Sequence, residues 1–203
     1  MDTKSITCAI LAGGKSTRFG KNKLLLEYKG KSFLQLTIDK LSEVSKEIII
    51  AGRNFEEIQD CMYKYKCFKD DYELKASIVG IHTALKHSNN DMVLVVAGDL
   101  PLLRPEVLKL LVSKYISYNC EAVIPVVRGY IEPLVALYSK KTLDIIEENI
   151  ENNKLKISDF IKKIEICKLS EKEIKVVDPE LVSFFNINTK EDYSKLLQMG
   201  KKK

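Results

Sequence analysis

Ile6-Thr7-Cys8-Ala9-Ile10-Leu11-Ala12-Gly13-Gly14-Lys15-Ser16-Thr17-Arg18-Phe19-Gly20-Lys21-Asn22-Lys23 is the stretch whose reading decides the fold. The run from Ile6 to Leu11 is short, apolar and lacks regular polar alternation. Such a run fits a strand covered on both faces, as in a parallel sheet held between helix layers. A glycine pair leaving the carboxyl end of that strand lets the backbone turn with its N–H groups converging, which makes a nest for anionic oxygen. Arg18 and Lys23 add positive charge around the nest, and strand carboxyl ends are where open α/β sheets bind ligands. A plain glycine turn among solvated lysines is the competing reading. The density of basic side chains behind Gly14 argues against it.

Spacing excludes two other phosphate motifs. A Walker loop needs a glycine five residues before Gly14-Lys15-Ser16, and Ala9 stands there. The dinucleotide fingerprint G-x-G-x-x-G fails because Gly13 and Gly14 are adjacent.

The same alternation of short apolar runs with helical spacing continues along the chain. Glu47–Ala51, Met92–Ala97 and Ala122–Val127 read as further buried strands. Between them, Phe33, Leu36, Leu41 and Val44 share one helix face, and Ile78, Ile81, Ala84 and Leu85 share another. Pro105 suits the first turn of a third helix carrying Val107, Leu110, Leu111 and Lys114. Strand–helix–strand repetition at this period predicts right-handed βαβ units and a doubly wound α/β sheet. In the last third, Leu134–Tyr138 and Glu165–Leu169 read as strands and Lys141–Ile150 as a helix. Thr189-Lys190-Glu191-Asp192 has capping-box spacing ahead of Tyr193, Leu196 and Leu197, so a final helix starts there. No linker or internal repeat divides residues 1–203, which read as one domain.

Composition narrows the functional classes. The 203 residues are 45% hydrophobic and 30% charged, an ordinary globular balance. The net charge of +5 comes from 33 basic against 28 acidic residues, but without Lys201, Lys202 and Lys203 the basic count falls to 30. The excess is a tail, not a nucleic-acid-binding face. No run reaches membrane-spanning length, and Ile6–Ala12 lacks a signal peptide's charged lead and cleavage site. Five scattered cysteines without a C-x-x-C pair fit a reducing cytoplasm, and two histidines leave a zinc site few ligands.

A second chemical signal is Val95-Val96-Ala97-Gly98-Asp99-Leu100-Pro101. A carboxylate at the end of a buried strand is placed to hold a hard cation at the sheet's ligand edge. Mg²⁺ usually takes one or two carboxylates and completes its shell with water and phosphate oxygens. A turn or cap aspartate is the other reading of Asp99 taken alone.

Taken together, L-A-G-G-x-S-x-R-x-G-x-x-K from Leu11 to Lys23, G-D-x-P at Gly98–Pro101, E-P-L at Glu132–Leu134 and F-x-N-x-N-T at Phe184–Thr189 resemble the molybdenum cofactor guanylyltransferase family. The resemblance runs from Ile10 to about Leu197. It implies a three-layer Rossmann-like nucleotidyltransferase fold with a mostly parallel central sheet. It also implies transfer of GMP from GTP to a molybdopterin-type cofactor, with Mg²⁺ as cofactor. Residues 1–120 would then form a nucleotide-binding half, 121–198 an acceptor-binding half, and 199–203 a basic tail. Carried over by position, Leu11, Ala12, Gly13, Gly14, Lys23, Asp70 and Asp99 bind nucleotide, and Asp99 holds the metal. Asp99, Lys23 and Arg18 act in catalysis, and Asn186 and Asn188 meet the acceptor. Asp71, beside Asp70, leaves that register open. Its expected partners are GTP, the molybdopterin cofactor and molybdoenzyme maturation proteins, with no nucleic acid and no membrane, for a monomer or weak homo-oligomer.

The sequence departs from the family pattern at four places. Ala76-Ser77-Ile78-Val79-Gly80 replaces G-P-L-x-G, Ala51 replaces an asparagine, Asn22 an aspartate and Gly98 a cysteine. The first two lie where base recognition is implied. A cytidylyltransferase on the same cofactor, a sugar-phosphate nucleotidyltransferase and a catalytically silent GTP-binding maturation factor are the alternatives. For guanine, Asp70 would accept the N1–H and N2–H₂ donors. The acceptor that the resemblance implies is a phosphate monoester, largely ionised at neutral pH, so its attack would need no general base. The shortage of histidines agrees with that.

Overall fold

Each apolar strand buries both faces, and the residues alternate between two cores. The fold is that of a computed structural model, which describes residues 6–13, 22–53, 55, 58 and 64–201. Strands β1 (Ile6–Ala12), β4 (Glu47–Gly52) and β6 (Met92–Ala97) lie side by side and parallel. Cys8, Ile10, Ile48, Ile50, Leu94 and Val96 face one way, against Leu34 and Ile38 of α1 (Phe33–Leu41) and Val107, Leu108 and Leu111 of α3 (Pro105–Ser117). Ala9, Leu11, Ile49, Ala51, Val93 and Val95 face the other way, against α2 (Ser77–His87), α4 (Leu143–Glu151) and α5 (Ile157–Ile161). The period-two alternation of strands thus produces three layers, helix–sheet–helix.

The remaining elements are the hairpin β2 (Glu27–Tyr28) and β3 (Lys31–Ser32), then β5 (Lys66–Lys69), β7 (Ala122–Val127), β8 (Tyr130–Ile131), β9 (Val135–Ser139), β10 (Ile166–Leu169), α6 (Glu171–Lys175) and α7 (Lys190–Lys201). The large sheet runs β10-β7-β9-β6-β1-β4-β5, with β8 paired to β7. β9 is antiparallel to both β6 and β7, while the β1–β4, β1–β6, β4–β5 and β7–β10 pairs are parallel. The sheet is therefore mostly parallel, as the sequence implied. From β1 the chain steps outward to β4 and β5 and then crosses back to β6 on the other side of β1. That reversal is a topological switch point, and it opens a crevice at the carboxyl ends of β1 and β6.

Local chemistry sets the helix starts. Ser32 caps α1 by accepting from the Gln35 N–H at 3.1 Å, and Pro105 occupies the first turn of α3. The box at the last helix forms as spaced: Asp192 N–H donates to Thr189 Oγ1 at 3.1 Å, and Thr189 N–H to Asp192 Oδ2 at 2.9 Å. One helix differs from its expected face. α1 ends at Leu41, so Val44 is buried from the following turn, and the inward face carries Leu34 and Ile38, with Leu36 only partly buried. A third apolar cluster (Leu26, Tyr28, Phe33, Ile187 and Leu196) seats the segment before α7 against the hairpin and α1.

Candidate active site

The two loops at the switch point are drawn together by backbone and packing. Gly98 N–H donates to the Leu11 carbonyl at 3.3 Å, joining the ends of β6 and β1. A Cβ on Gly98 would lie 2.1 Å from Leu24 Cδ2, so glycine opens the notch that Leu24 fills. Leu24 belongs to a short 3-10 turn, Lys23–Leu25, capped by Asn22, whose Oδ1 accepts from the Leu24 N–H at 3.1 Å. Asn22 therefore supplies the cap acceptor that an aspartate would, and two departures from the family pattern have local explanations.

The turn delivers Lys23 to the centre of the crevice. Its Nζ lies 3.4 Å from Asp99 Oδ2 and donates to Asn188 Oδ1 at 2.9 Å. The Asp99 loop is fixed from behind, because Lys40 of α1 donates to the Pro101 carbonyl. Burial pushes the Lys40 ammonium down to about 8. Ile187 N–H donates to the Asp99 carbonyl at 3.1 Å, and the Ile187 side chain is wholly buried. With Ile187 turned inward, Asn186 and Asn188 on either side both line the cleft.

At the other end of the crevice, β5 delivers Asp70. Its N–H bonds the Gly52 carbonyl at 2.9 Å, while Oδ2 accepts from Arg53 Nε at 3.2 Å and Oδ1 from Thr83 at 3.3 Å. Burial pushes the Asp70 carboxyl up from its ordinary range, and the Arg53 bond and charge oppose that. Its side chain is only 4% exposed. Asp70 lines the cleft; Asp71 turns away to His82, Lys86 and His87. Of the two aspartates only Asp70 lines the cleft, and its carboxylate is already engaged by protein donors. Arg53, to which the sequence reading gave no role, also bonds the Leu74 carbonyl and lines the same end of the cleft. α2 begins at this wall with no side-chain cap, so its first-turn N–H groups and partial positive charge are turned toward Ala76 and Ser77 at the lining.

The cleft encloses about 800 Å³, a size common for small-molecule sites. It brings together Leu11, Ala12, Gly13, Lys23, Asp70, Asp99, Asn186 and Asn188 from the sequence reading. A Cβ on Gly13 would meet no described residue within 4 Å, and Gly13 lines the cleft. Gly14 and Arg18 lie outside the described residues. Arg53, Lys75 and Glu132 were not assigned roles from sequence, although Glu132 stood in a quoted motif. Among the described lining residues, Lys23, Arg53 and Lys75 face an equal number of carboxylates, Asp70, Asp99 and Glu132.

That balance bears on a metal. A triphosphate placed beside Asp99 meets a like charge unless a divalent cation lies between them. Asp99 Oδ1 accepts no hydrogen bond from a described residue, and its side chain is 25% exposed. One carboxylate with an open oxygen on a phosphate-sized cleft fits Mg²⁺, which keeps water and phosphate in its shell. Among the described residues, no three His, Cys, Asp or Glu side chains form a closed metal cluster.

The model of the MobA-like NTP transferase domain matches residues 8–167. The chain belongs to that family. It is 32% identical over 192 residues to a probable molybdenum cofactor guanylyltransferase of Natranaerobius thermophilus, covering 94% of each chain. A protein of the same name from Pyrococcus horikoshii is 36% identical over 192 residues, covering 92% of this chain and 96% of that one. The crystal structure of molybdopterin-guanine dinucleotide biosynthesis protein A from Archaeoglobus fulgidus superposes with a TM-score of 0.85 at 29% identity, over 97% of this chain and all of the other. MobA-like membership makes the chain a member of a nucleotidyltransferase family. Among the described residues, no helix is long and apolar enough to cross a membrane.

Proposed function

We propose that the protein transfers GMP from GTP to the terminal phosphate of a molybdopterin-type cofactor and releases pyrophosphate. The observation that carries this reading is the bridge from Lys23 Nζ to both Asp99 and Asn188 at the switch point. A phosphate oxygen of the acceptor attacks the α-phosphorus, and the bond to the bridging oxygen of the β-phosphate breaks. Both partners are anionic, so the protein's task is to neutralise charge and align the attacking and leaving oxygens. The backbone of Leu11, Ala12, Gly13 and Gly14 receives the nucleotide, and Lys23 and Arg18 balance the leaving pyrophosphate. Asp99 would hold Mg²⁺, which would supply charge neutralisation for the triphosphate. Asn186 and Asn188 approach from the acceptor side.

In this reading residues 1–203 act as one domain, with nucleotide bound by 1–120, acceptor by 121–198, and 199–203 as a tail. Arg53 lines the nucleotide end of the cleft, where its remaining guanidinium donors would face the O6/N7 acceptor edge of guanine. Asp70 keeps Arg53 in place as it lines the nucleotide end. Free thiols at Cys8, Cys67, Cys120 and Cys167 support a cytoplasmic setting.

The test is to supply Mg²⁺ and molybdopterin with GTP, CTP, ATP or UTP in separate reactions and measure pyrophosphate. Release with GTP alone is expected. Release with CTP alone makes the protein a cytidylyltransferase, and tight GTP binding without release makes it a silent maturation factor.

A further inference from the structure

Glu132 is the one acidic lining residue of the cleft with no protein contact assigned so far. Its backbone is held rigidly: the N–H donates to the Pro125 carbonyl of β7 at 2.9 Å, and its carbonyl accepts from Val135 N–H at 3.2 Å. Its neighbour Leu134 accepts from Ala97 N–H at 2.8 Å, which continues the β6–β9 ladder toward Asp99. Glu132 is thus fixed at the β9 side of the crevice, across the switch point from Asp70 and Arg53. It is half-buried, and no described residue donates a hydrogen bond to its carboxylate. Burial pushes that carboxyl up from its ordinary range, against the pull of Arg128.

A desolvated carboxylate without donors is costly unless a ligand supplies them. Beyond the divalent cation assigned to Asp99, three ligand chemistries are available in this cleft. The phosphate groups of either substrate carry the same sign as Glu132 and are repelled. A proton from the nucleophile is not needed, because a phosphate monoester is already ionised. A neutral group with paired N–H donors suits two carboxylate oxygens.

We propose that Glu132 is a specificity residue of the acceptor subsite, taking the adjacent ring N–H and exocyclic amino donors of a 2-amino-4-oxopteridine ring. This deepens the transferase reading and rests on it for the identity of the acceptor. Placement on the β9 side separates the pterin end from the Arg53 end, so the reacting phosphates meet between them at Lys23 and Asp99.

The test pairs binding with turnover. Pterin itself and its 2-dimethylamino analogue, which lacks the amino donors, are titrated by fluorescence into the full-length protein with Mg²⁺ and a non-hydrolysable GTP analogue. The wild type is expected to prefer pterin by roughly ten-fold or more, the worth of one charge-assisted hydrogen bond. Glu132→Gln should lose that preference, raise the KM for molybdopterin by a similar factor and leave kcat, GTP affinity and Tm near wild type. A preserved preference and KM overturn the proposal, as does a wild type that binds neither probe. Weakened GTP affinity in Glu132→Gln also overturns it, by placing the residue at the nucleotide end. If the wild type discriminates the probes yet transfers nothing to molybdopterin, the transferase reading fails and the pterin subsite stands.

Discussion

Lys23 concentrates the chemistry of the cleft in one side chain, because its ammonium holds a carboxylate of the β6 loop and an amide from the segment before α7. Asp99 sits within that pair, and its backbone carbonyl, independent of its side chain, anchors Ile187. Asp99→Ala should therefore keep the fold while losing several kcal/mol of transition-state charge stabilisation, roughly a hundred-fold or more in rate. Pyrophosphate release beside an unchanged thermal melt checks this, and turnover near the wild-type rate would remove Asp99 from the metal site. Lys23→Ala should slow transfer and weaken GTP binding together, each by roughly ten-fold or more, because one charge-assisted contact to the triphosphate is lost. Isothermal titration with GTP separates the outcomes: normal GTP affinity with lost acceptor binding would move Lys23 to the other substrate.

Among the elements, α6 offers the clearest titration. Burial works to raise the Glu173 carboxyl, but hydrogen bonds from Lys114 and from the Ser170 hydroxyl and N–H outweigh it and hold the group at about 2, below its ordinary 4.5. The folded state then binds fewer protons than the unfolded chain between those values. The stabilisation is complete above pH 4.5 and drains away as the pH falls through 4.5 toward 2. Urea midpoints should separate wild type from Glu173→Gln at neutral pH and converge near the acid end; a constant gap would show that the charge is irrelevant. The elements also show what a sequence makes legible. β1, β4, β6 and β7 announce themselves because both faces are buried, so nearly every position is apolar or small. β5 is an edge strand reading Lys-Cys-Phe-Lys, exposed along most of its length, and nothing in its pattern marks it. α5 and α6 are five residues each, too short for a helical period to appear. The site follows the same rule. Gly13, Lys23 and Asp99 stand in motifs with local physical meaning, whereas Arg53 looks like any surface arginine until β5 brings Asp70 against it.

On the scale of the whole molecule, ligand binding and stability are linked. At a GTP concentration about 100 times Kd, binding adds about 2.7 kcal/mol, or roughly 5–10 °C in Tm for a domain of this size. With Mg²⁺ present, GTP should raise Tm by that amount and CTP by much less. Equal shifts from both nucleotides would remove the guanylyl preference. The bridge between Lys23 and Asn188 has a consequence in time as well. The two residues are 165 positions apart, so at cellular translation speeds roughly ten to thirty seconds separate their synthesis. A ribosome-bound chain can form the β1–β4–β6 core long before the asparagines exist. Until then the Asn188 amide that Lys23 holds is missing, and the crevice lacks the lining that Asn186 and Asn188 provide. A chain cut before Asn186 is therefore expected to fold its β1–β4–β6 core and yet release no pyrophosphate, and turnover by such a truncated chain would detach the asparagines from the reaction.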